Sequence, residues 1–260
     1  DDEIAPLRLA RDALARELRD RQRHQQQRRG EDRRDDARGV DLQRQVAAIR
    51  LHAALRDFTG PQQATLIGRA EKSDVLTAAL INAVGSNVLD FDDTHLATVV
   101  HPTAVVAPAL LALAEHRHSS GAEFLHALAL GIETACRIGN AVSSKHYARG
   151  WHITSSCGVF GGAVAAAKLL GLNAEQTAHA IGIASSQSGG TVENLPSFGK
   201  NVSVGNAARN GIFSALLAQQ GGTAASLALE GPLGWARAMG DVPVVEEIVG
   251  ALGGRWEAGD

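Results

Sequence analysis

A succession of apolar segments with helical spacing fills the chain from about residue 46 onward. In these segments the apolar residues recur every three to four positions, as they do on one face of an α-helix. Alternating strand patterns are nearly absent, and a single short stretch, Ala64 to Gly68, is predicted to be extended. Helices are predicted at about residues 46–55, 75–84, 103–117, 121–143, 157–170, 174–184, 204–220 and 243–251. The sequence therefore predicts an all-α fold.

Residues that stop or cap helices separate most of these segments. Ser73-Asp74 is predicted to cap the helix at residue 75, and glycines follow several of the later helices. Gly158, Gly161 and Gly162 superficially suggest a nucleotide-binding fingerprint, but no strand precedes them. We expect these glycines to allow close packing of helices instead.

The first 44 residues differ from the rest of the chain. They are dominated by Arg, Asp, Gln and Glu, with only a thin apolar stripe over residues 5–27. Residues 25–36 have almost nothing apolar to bury, which is typical of disordered segments. We therefore predict a charged arm over residues 1–44, either an exposed helix or disordered, and a helical domain over residues 45–260.

The composition excludes several classes of partner. The chain has 25 Lys and Arg against 28 Asp and Glu, and aromatic residues make up 4%. No basic field or base-stacking surface for nucleic acid is indicated. The cysteines Cys136 and Cys157 have the spacing of neither a disulfide framework nor a metal-binding pair. Since no membrane span and no signal peptide are recognisable, we predict a cytoplasmic protein.

One polar stretch, residues 87–102, interrupts the apolar segments. It brings together the residues Asp90, Asp92, Asp93, Thr94, His95 and His101 before Pro102. An Asp-Asp-Thr sequence can simply cap a helix, but a cap needs only one side chain. Clusters of titratable groups of this kind are candidate acid–base sites.

Two further segments carry candidate site residues. His152 comes shortly before a predicted helix, where backbone N–H groups and the hydroxyls of residues 154–156 can receive a carboxylate. Lys200 ends a long polar loop over residues 185–200, and a lysine in such a loop can hold an anion as a point charge. A packing histidine and an ordinary solvated lysine are the alternatives, and the residues alone leave both open.

Together these residues favour proton transfer on a carboxylate-bearing substrate. Proton abstraction next to a carboxylate needs a base poised near neutral pH and cations that stabilise the developing charge. His101 and His152 are the acid–base candidates, and Lys200 is the candidate carboxylate ligand. We expect Asp90 to orient a histidine or raise its pKa, and Thr94 to donate a hydrogen bond. The sequence contains no cofactor motif, so elimination or isomerisation is favoured over redox chemistry.

Two other chemistries share this stretch. Leu89-Asp-Phe-Asp-Asp-Thr94 matches the Asp-x-Asp-x-Thr loop of haloacid-dehalogenase-type phosphatases, but that loop must follow a buried strand, and here a helical segment precedes it. A metal site made of Asp90, Asp92, His95 and His101 is chemically possible.

Several ordered motifs over roughly residues 45–256 resemble the MmgE/PrpD family. The segments that carry the resemblance are Asp90-Phe-Asp-Asp-Thr-His95, His101-Pro102, Gly131-Ile-Glu133 with Arg137, Gly150-Trp-His152, Ala165 to Leu172, Ile183 to Gly189, Lys200, Gly205 to Gly211, and Leu229 to Gly234. The family includes 2-methylcitrate dehydratase, cis-aconitate decarboxylase and iminodisuccinate epimerase.

This resemblance implies a lyase or isomerase that acts on a small di- or tricarboxylate without metal or cofactor. A hydro-lyase of the 2-methylcitrate dehydratase type is expected, as a homodimer. By the family's motifs, the active-site positions are Asp90, Thr94, His101, His152 and Lys200.

The family's architecture implies a large helical domain and a smaller α+β lid domain. The chain ends near the point where that lid begins, so the lid is expected to be missing, and with it further catalytic residues. A second reading follows: a truncated, non-catalytic relative that acts as a helical oligomerisation or partner subunit.

Overall fold

The computed structural model describes residues 47–259, without the side chain of Ser144. The predicted charged arm over residues 1–44 lies outside the described residues and stays a prediction.

Helices form nearly all the regular structure of the described part, so the all-α prediction is confirmed. A first helix, α1, covers the described residues 47–55. The later helices are α2 (Val75–Asn87), α3 (Pro102–Arg117), α4 (Gly121–Ala148), α5 (Ile153–Leu170), α6 (Ala174–Ser185), α7 (Phe198–Gln219), α8 (Trp235–Met239) and α9 (Val245–Val249). Short 3₁₀ turns lie at Arg56–Phe58 and Val192–Asn194.

Local cap chemistry explains where several helices begin. Asp74 accepts a hydrogen bond from the backbone N–H of Thr77 and so caps α2, as predicted. Ser120 with Glu123, and Asn173 with Gln176, form reciprocal capping boxes at the starts of α4 and α6.

The extended stretch predicted over Ala64 to Gly68 is a strand of two residues only. This strand, β1 (Ala64–Thr65), pairs antiparallel with β2 (Lys72–Ser73), which the sequence analysis did not predict. The Glu115 carboxylate accepts hydrogen bonds from the backbone N–H and hydroxyl of Thr65 and from Lys72 Nζ, so the hairpin is tied to the end of α3.

The core helix is α5, which packs against α3, α4, α6 and α7. Among the described residues it is the one helix long and apolar enough to cross a membrane, and 83% of its 18 residues are buried inside the domain. A helix that is apolar on all sides and buried in this way is typical of a protein core.

Glycines let the core helices approach closely, as the sequence analysis predicted. A Cβ atom on Gly161 of α5 would lie 2.6 Å from the carbonyl oxygen of Gly131 in α4. A Cβ atom on Gly211 of α7 would lie 2.7 Å from the carbonyl carbon of Gly162 in α5. Because real Cβ atoms do not come this close to a backbone, the contacts fix α4, α5 and α7 against one another.

Two helices begin earlier than predicted, and both differences concern candidate site residues. The α5 helix begins at Ile153 rather than 157, so His152 is its N-cap residue. The α7 helix begins at Phe198 rather than 204, so Lys200 lies in its first turn and not in the preceding loop.

Candidate active site

The loop between α2 and α3, residues 88–101, carries three of the predicted site residues. It folds back on itself: the His95 backbone N–H donates to the Val100 carbonyl at 2.8 Å, and the Val99 N–H donates to the His95 carbonyl at 2.8 Å. Asp90 and Val99 have positive φ angles of 50° and 59°. A positive φ is uncommon for Asp and exceptional for β-branched Val, so the surrounding contacts hold this loop in a strained conformation.

Lys200 reaches out of α7 to this loop. Its side chain is buried, and Nζ forms an ion pair with Asp90 Oδ1. The sequence analysis had expected Asp90 to orient a histidine and Lys200 to hold a substrate carboxylate. In the structure the two predicted residues pair with each other.

His101 is the last residue of this loop and contacts the start of α5. Its Nδ1 atom is 3.3 Å from Asp92 Oδ1 and 3.3 Å from Thr94 Oγ1. Its backbone N–H donates to Thr154 Oγ1 at 3.1 Å. The carboxylate in contact with the histidine is therefore that of Asp92, which the sequence analysis had placed in the candidate cluster but not among the five active-site positions.

Charge and burial act in opposite directions on His101. Burial lowers the pKa of the ring, but the Asp92 carboxylate beside it outweighs burial, and the pKa of His101 lies above its usual value. Burial raises the pKa of Asp92, but the adjacent His101 ring and a hydrogen bond from Asn87 hold that pKa below its usual value. Both shifts favour an ion pair between His101 and Asp92.

His152 is neutral in the same site. Burial, together with the charges of Lys200 and His101, lowers its pKa to about 3. Its Nδ1 atom faces the hydroxyls of Ser203 at 3.1 Å and Ser155 at 3.2 Å. Each hydroxyl donates its one proton to a backbone carbonyl at 2.7 Å: the Ser203 hydroxyl to the carbonyl of Lys200, and the Ser155 hydroxyl to the carbonyl of Gly189. Since both hydroxyls accept at Nδ1, the His152 proton lies on Nδ1 and Nε2 carries the lone pair.

The hydroxyls at the start of α5 have structural roles. Thr154 Oγ1 accepts from the His101 backbone, and Ser156 Oγ lies 2.6 Å from Nε2 of the buried His146. Protein groups thus contact all three hydroxyls, and the expectation that the hydroxyls of residues 154–156 receive a substrate carboxylate stays a prediction.

Asp93 does what the capping alternative predicted. Its carboxylate accepts hydrogen bonds from the backbone N–H of Thr103 at 3.2 Å and from the Thr103 hydroxyl at 2.7 Å. Asp93 thus caps α3 from the loop and has a structural role. The sequence of the stretch alone did not show which of the three aspartates has this role.

Replacement of this cap is expected to lower stability moderately. We expect Asp93→Ala to reduce the free energy of unfolding by about 1 kcal/mol, because the first turn of α3 loses a hydrogen-bond acceptor. Urea unfolding followed by circular dichroism measures the change. The control is Asp57→Ala, whose exposed carboxylate caps no helix; equal losses in the two variants would contradict the assignment.

His95 belongs to a separate, partly buried cluster that includes Glu257. Its Nε2 atom lies 3.2 Å from Glu257 Oε2, which also accepts from Asn140 at 2.9 Å. Nearby, Arg137 pairs with Glu133 at 2.5 Å and donates to the backbone carbonyls of residues 248, 250 and 255. The family-motif residues Glu133 and Arg137 therefore hold the C-terminal segment against α4.

The two rival chemistries lack their structural contexts. The helix α2, and not a strand, precedes the Asp90–Thr94 stretch, so the phosphatase loop is excluded. Within residues 47–259, no three or more His, Cys, Asp and Glu side chains come close enough to hold a metal ion. The metal site considered for Asp90, Asp92, His95 and His101 does not assemble there.

Five predicted residues thus meet around the starts of α5 and α7, and comparison with known proteins places the chain in a family. The family model of the MmgE/PrpD N-terminal domain matches residues 40–247. The chain belongs to the MmgE/PrpD family.

Curated relatives are 32–39% identical to the chain over the regions that align with it. The cis-aconitate decarboxylase-like protein oryM of Aspergillus oryzae is 34% identical over 220 residues, covering 78% of this chain and 46% of that protein. The cis-aconitate decarboxylase of Aspergillus terreus is 32% identical over 217 residues, 78% of this chain and 44% of that protein. The human cis-aconitate decarboxylase is 39% identical over 150 residues, 55% of this chain and 31% of that protein. The chain spans less than half the length of these relatives.

Proposed function

We propose that the described domain forms the helical part of the active site of a lyase for a small di- or tricarboxylate. The observation that carries the proposal is one cluster of a buried lysine, a histidine whose pKa is raised and a histidine whose pKa is about 3, at the starts of two helices. Because the chain matches less than half of the length of its relatives, we assign their activity to this chain only as a proposal.

The electrostatics of the site favour an anionic ligand. Helix N-termini carry partial positive charge, and both α5 and α7 begin at the site. Lys200 adds a cation to the first turn of α7, where a positive side chain opposes the helix dipole. Asp90 balances Lys200 in the structure, so we propose that a substrate carboxylate takes the place of Asp90 beside the Lys200 ammonium.

The two histidines differ in protonation state, as an acid and a base require. The raised pKa of His101 keeps its ring protonated to higher pH than an ordinary histidine, so this ring is suited to donate a proton. His152 is unprotonated, and the charges of Lys200 and His101 contribute to its low pKa. Substrate carboxylates offset those charges, which raises the pKa of His152 toward the range of an effective base.

Decarboxylation is the reaction that the relatives favour, in place of the dehydration expected from the sequence. A decarboxylase breaks a carbon–carbon bond, releases CO2 and leaves the electron pair on the neighbouring carbon. The charge spreads toward a remaining carboxylate, and a proton must then be added to carbon. His101 is the proposed donor of this proton, and Lys200 stabilises the charge. Dehydration of a 2-methylcitrate-like hydroxy acid uses the same groups and is the second candidate.

Proton NMR of the purified 260-residue chain in deuterated water tests the proposal. We expect cis-aconitate to lose CO2 and to gain one deuterium at carbon, while loss of water from 2-methylcitrate would identify the dehydratase reaction instead. If the folded chain neither binds nor converts cis-aconitate, 2-methylcitrate or citrate, the proposal fails. The non-catalytic partner-subunit reading would then gain support.

The role of Lys200 gives a binding prediction. We expect Lys200→Met to weaken cis-aconitate binding at least about tenfold, since a charge-assisted hydrogen bond contributes roughly 1.5–3 kcal/mol. Calorimetric titration measures the affinity. The matched control is Lys145→Met, in which another helical lysine loses its ion pair with Asp241 at an exposed position. Equal affinities of Lys200→Met and Lys145→Met would contradict the role.

The homodimer and the cytoplasmic location also remain proposals, the former testable by sedimentation.

A further inference from the structure

We propose that Asp92, held in place by Asn87, is the positioning residue for His101 and confines the exchangeable proton to His101 Nε2. The inference deepens the proposed function and rests on it for its catalytic meaning. Its physical content is a statement about one imidazole ring, and it can be tested without substrate.

The Asp92 carboxylate is buried and held from both of its oxygens. Its side chain is only 6% exposed. Oδ2 accepts a hydrogen bond of 2.7 Å from Asn87 Nδ2, and Asn87 Oδ1 in turn accepts from Asn201 of α7. Oδ1 is buried, makes no regular hydrogen bond to the described residues, and lies 3.3 Å from His101 Nδ1. A buried anion needs a counter-charge, and His101 is the group that supplies it.

The two neighbours of Nδ1 decide where the ring proton lies. An ionised carboxylate accepts hydrogen bonds and donates none, and a hydroxyl oxygen can accept as well. Asp92 Oδ1 and Thr94 Oγ1 both face Nδ1, so Nδ1 keeps its proton whether the ring is charged or neutral. Nε2 is then the atom that gains and loses the proton. The hydrogen bond from the His101 backbone N–H to Thr154 Oγ1 holds the backbone that carries the ring against the start of α5.

The other charged groups near His101 do not replace Asp92. Lys200 opposes protonation of the ring, whereas Asp90 favours it. These two side chains form an ion pair with each other, so their effects on His101 largely cancel. His152 is neutral and adds no charge. Asp92 is therefore the group whose charge decides the protonation of His101.

NMR of the chain labelled with ¹⁵N and ¹³C histidine tests the proposal, with the His101 signals assigned by loss in His101→Gln. In Asp92→Asn we expect the proton affinity of His101 to fall about tenfold or more, because the nearly isosteric amide removes the charge. The matched control is Asp93→Asn, which removes the carboxylate of the neighbouring residue. That carboxylate caps α3 and does not touch the His101 ring. A proton affinity equally affected in both variants, or unaffected in Asp92→Asn, would overturn the proposal.

A measurement on the unmodified chain remains decisive if Asp92→Asn does not fold. Above the pKa of His101, the ring ¹⁵N shifts are expected to show the proton on Nδ1; a proton on Nε2 would overturn the proposal. Neither readout depends on turnover. A chain without activity would contradict the proposed function, whereas a His101 proton on the wrong nitrogen would contradict the role of Asp92. Where turnover is seen, the pH at which activity declines on the alkaline side should be lower in Asp92→Asn, a change that a purely structural role would not produce.

Discussion

Between pH 7 and pH 4 the free energy of unfolding is expected to fall by roughly 5–6 kcal/mol, because two buried histidines gain protons when the chain unfolds. Burial lowers the pKa of His146 to about 4, and burial with nearby charges lowers that of His152 to about 3, from an unfolded value of 6.5. His146 is fully buried, in contact with Ser156, stacked with Trp151 and tilted against Trp235.

The direction of this effect follows from proton binding. At pH values below 6.5 and above the folded pKa values of His146 and His152, the unfolded chain binds more protons than the folded chain. Acid therefore favours unfolding. His101 acts oppositely: its folded pKa is raised, so its contribution is fully present below pH 6.5 and is lost as the pH rises through the folded value. We therefore expect the stability to decline mainly from about pH 6 downward.

Urea unfolding at a series of pH values measures the decline, and His146→Gln isolates one of its causes. This substitution keeps a polar group beside Ser156 but removes the titration, so the slope between pH 6 and pH 4 should become shallower. His126→Gln, on the exposed side of α4, is the control and should keep the slope of the parent chain. A slope unchanged in His146→Gln would show that His146 is not responsible.

The closest contact between α5 and α7 leads to the second large effect. We expect Gly211→Ala to destabilise the chain by about 1–3 kcal/mol through overpacking, although alanine is the better helix former. The added methyl group would lie 2.7 Å from a backbone atom of Gly162, and a backbone cannot rotate aside as a side chain can. The two helices that carry His152 and Lys200 would have to separate.

A glycine at which an added Cβ atom would meet open space provides the matched control. Gly85 lies within α2, and a Cβ atom there meets nothing within 4 Å. Gly85→Ala should therefore raise the free energy of unfolding by up to about 1 kcal/mol through helix propensity alone. Thermal or urea unfolding compares the two variants, and a stabilised Gly211→Ala chain would contradict the predicted close approach of the helices.

The sequence predicted the helices well wherever local chemistry marks their ends. Asp74, Ser120 and Asn173 cap helices that start within one residue of the predicted positions. The early starts of α5 and α7 were missed, because their first residues are rich in Thr, Ser, Gly, Asn and Val, which are weak helix formers. Burial against neighbouring helices, and not propensity, makes these segments helical.

The sequence by itself determined the fold class, the family motifs and five of the residues that meet at the site, since spacing and residue type carry that information. Only the tertiary structure decided their pairing. The positive φ at Asp90 turns the loop so that Asp90 meets Lys200, Asp92 meets His101 and Asp93 caps α3. Three aspartates within four positions have similar chemistry in the sequence. Their roles differ because the folded backbone aims each carboxylate at a different partner.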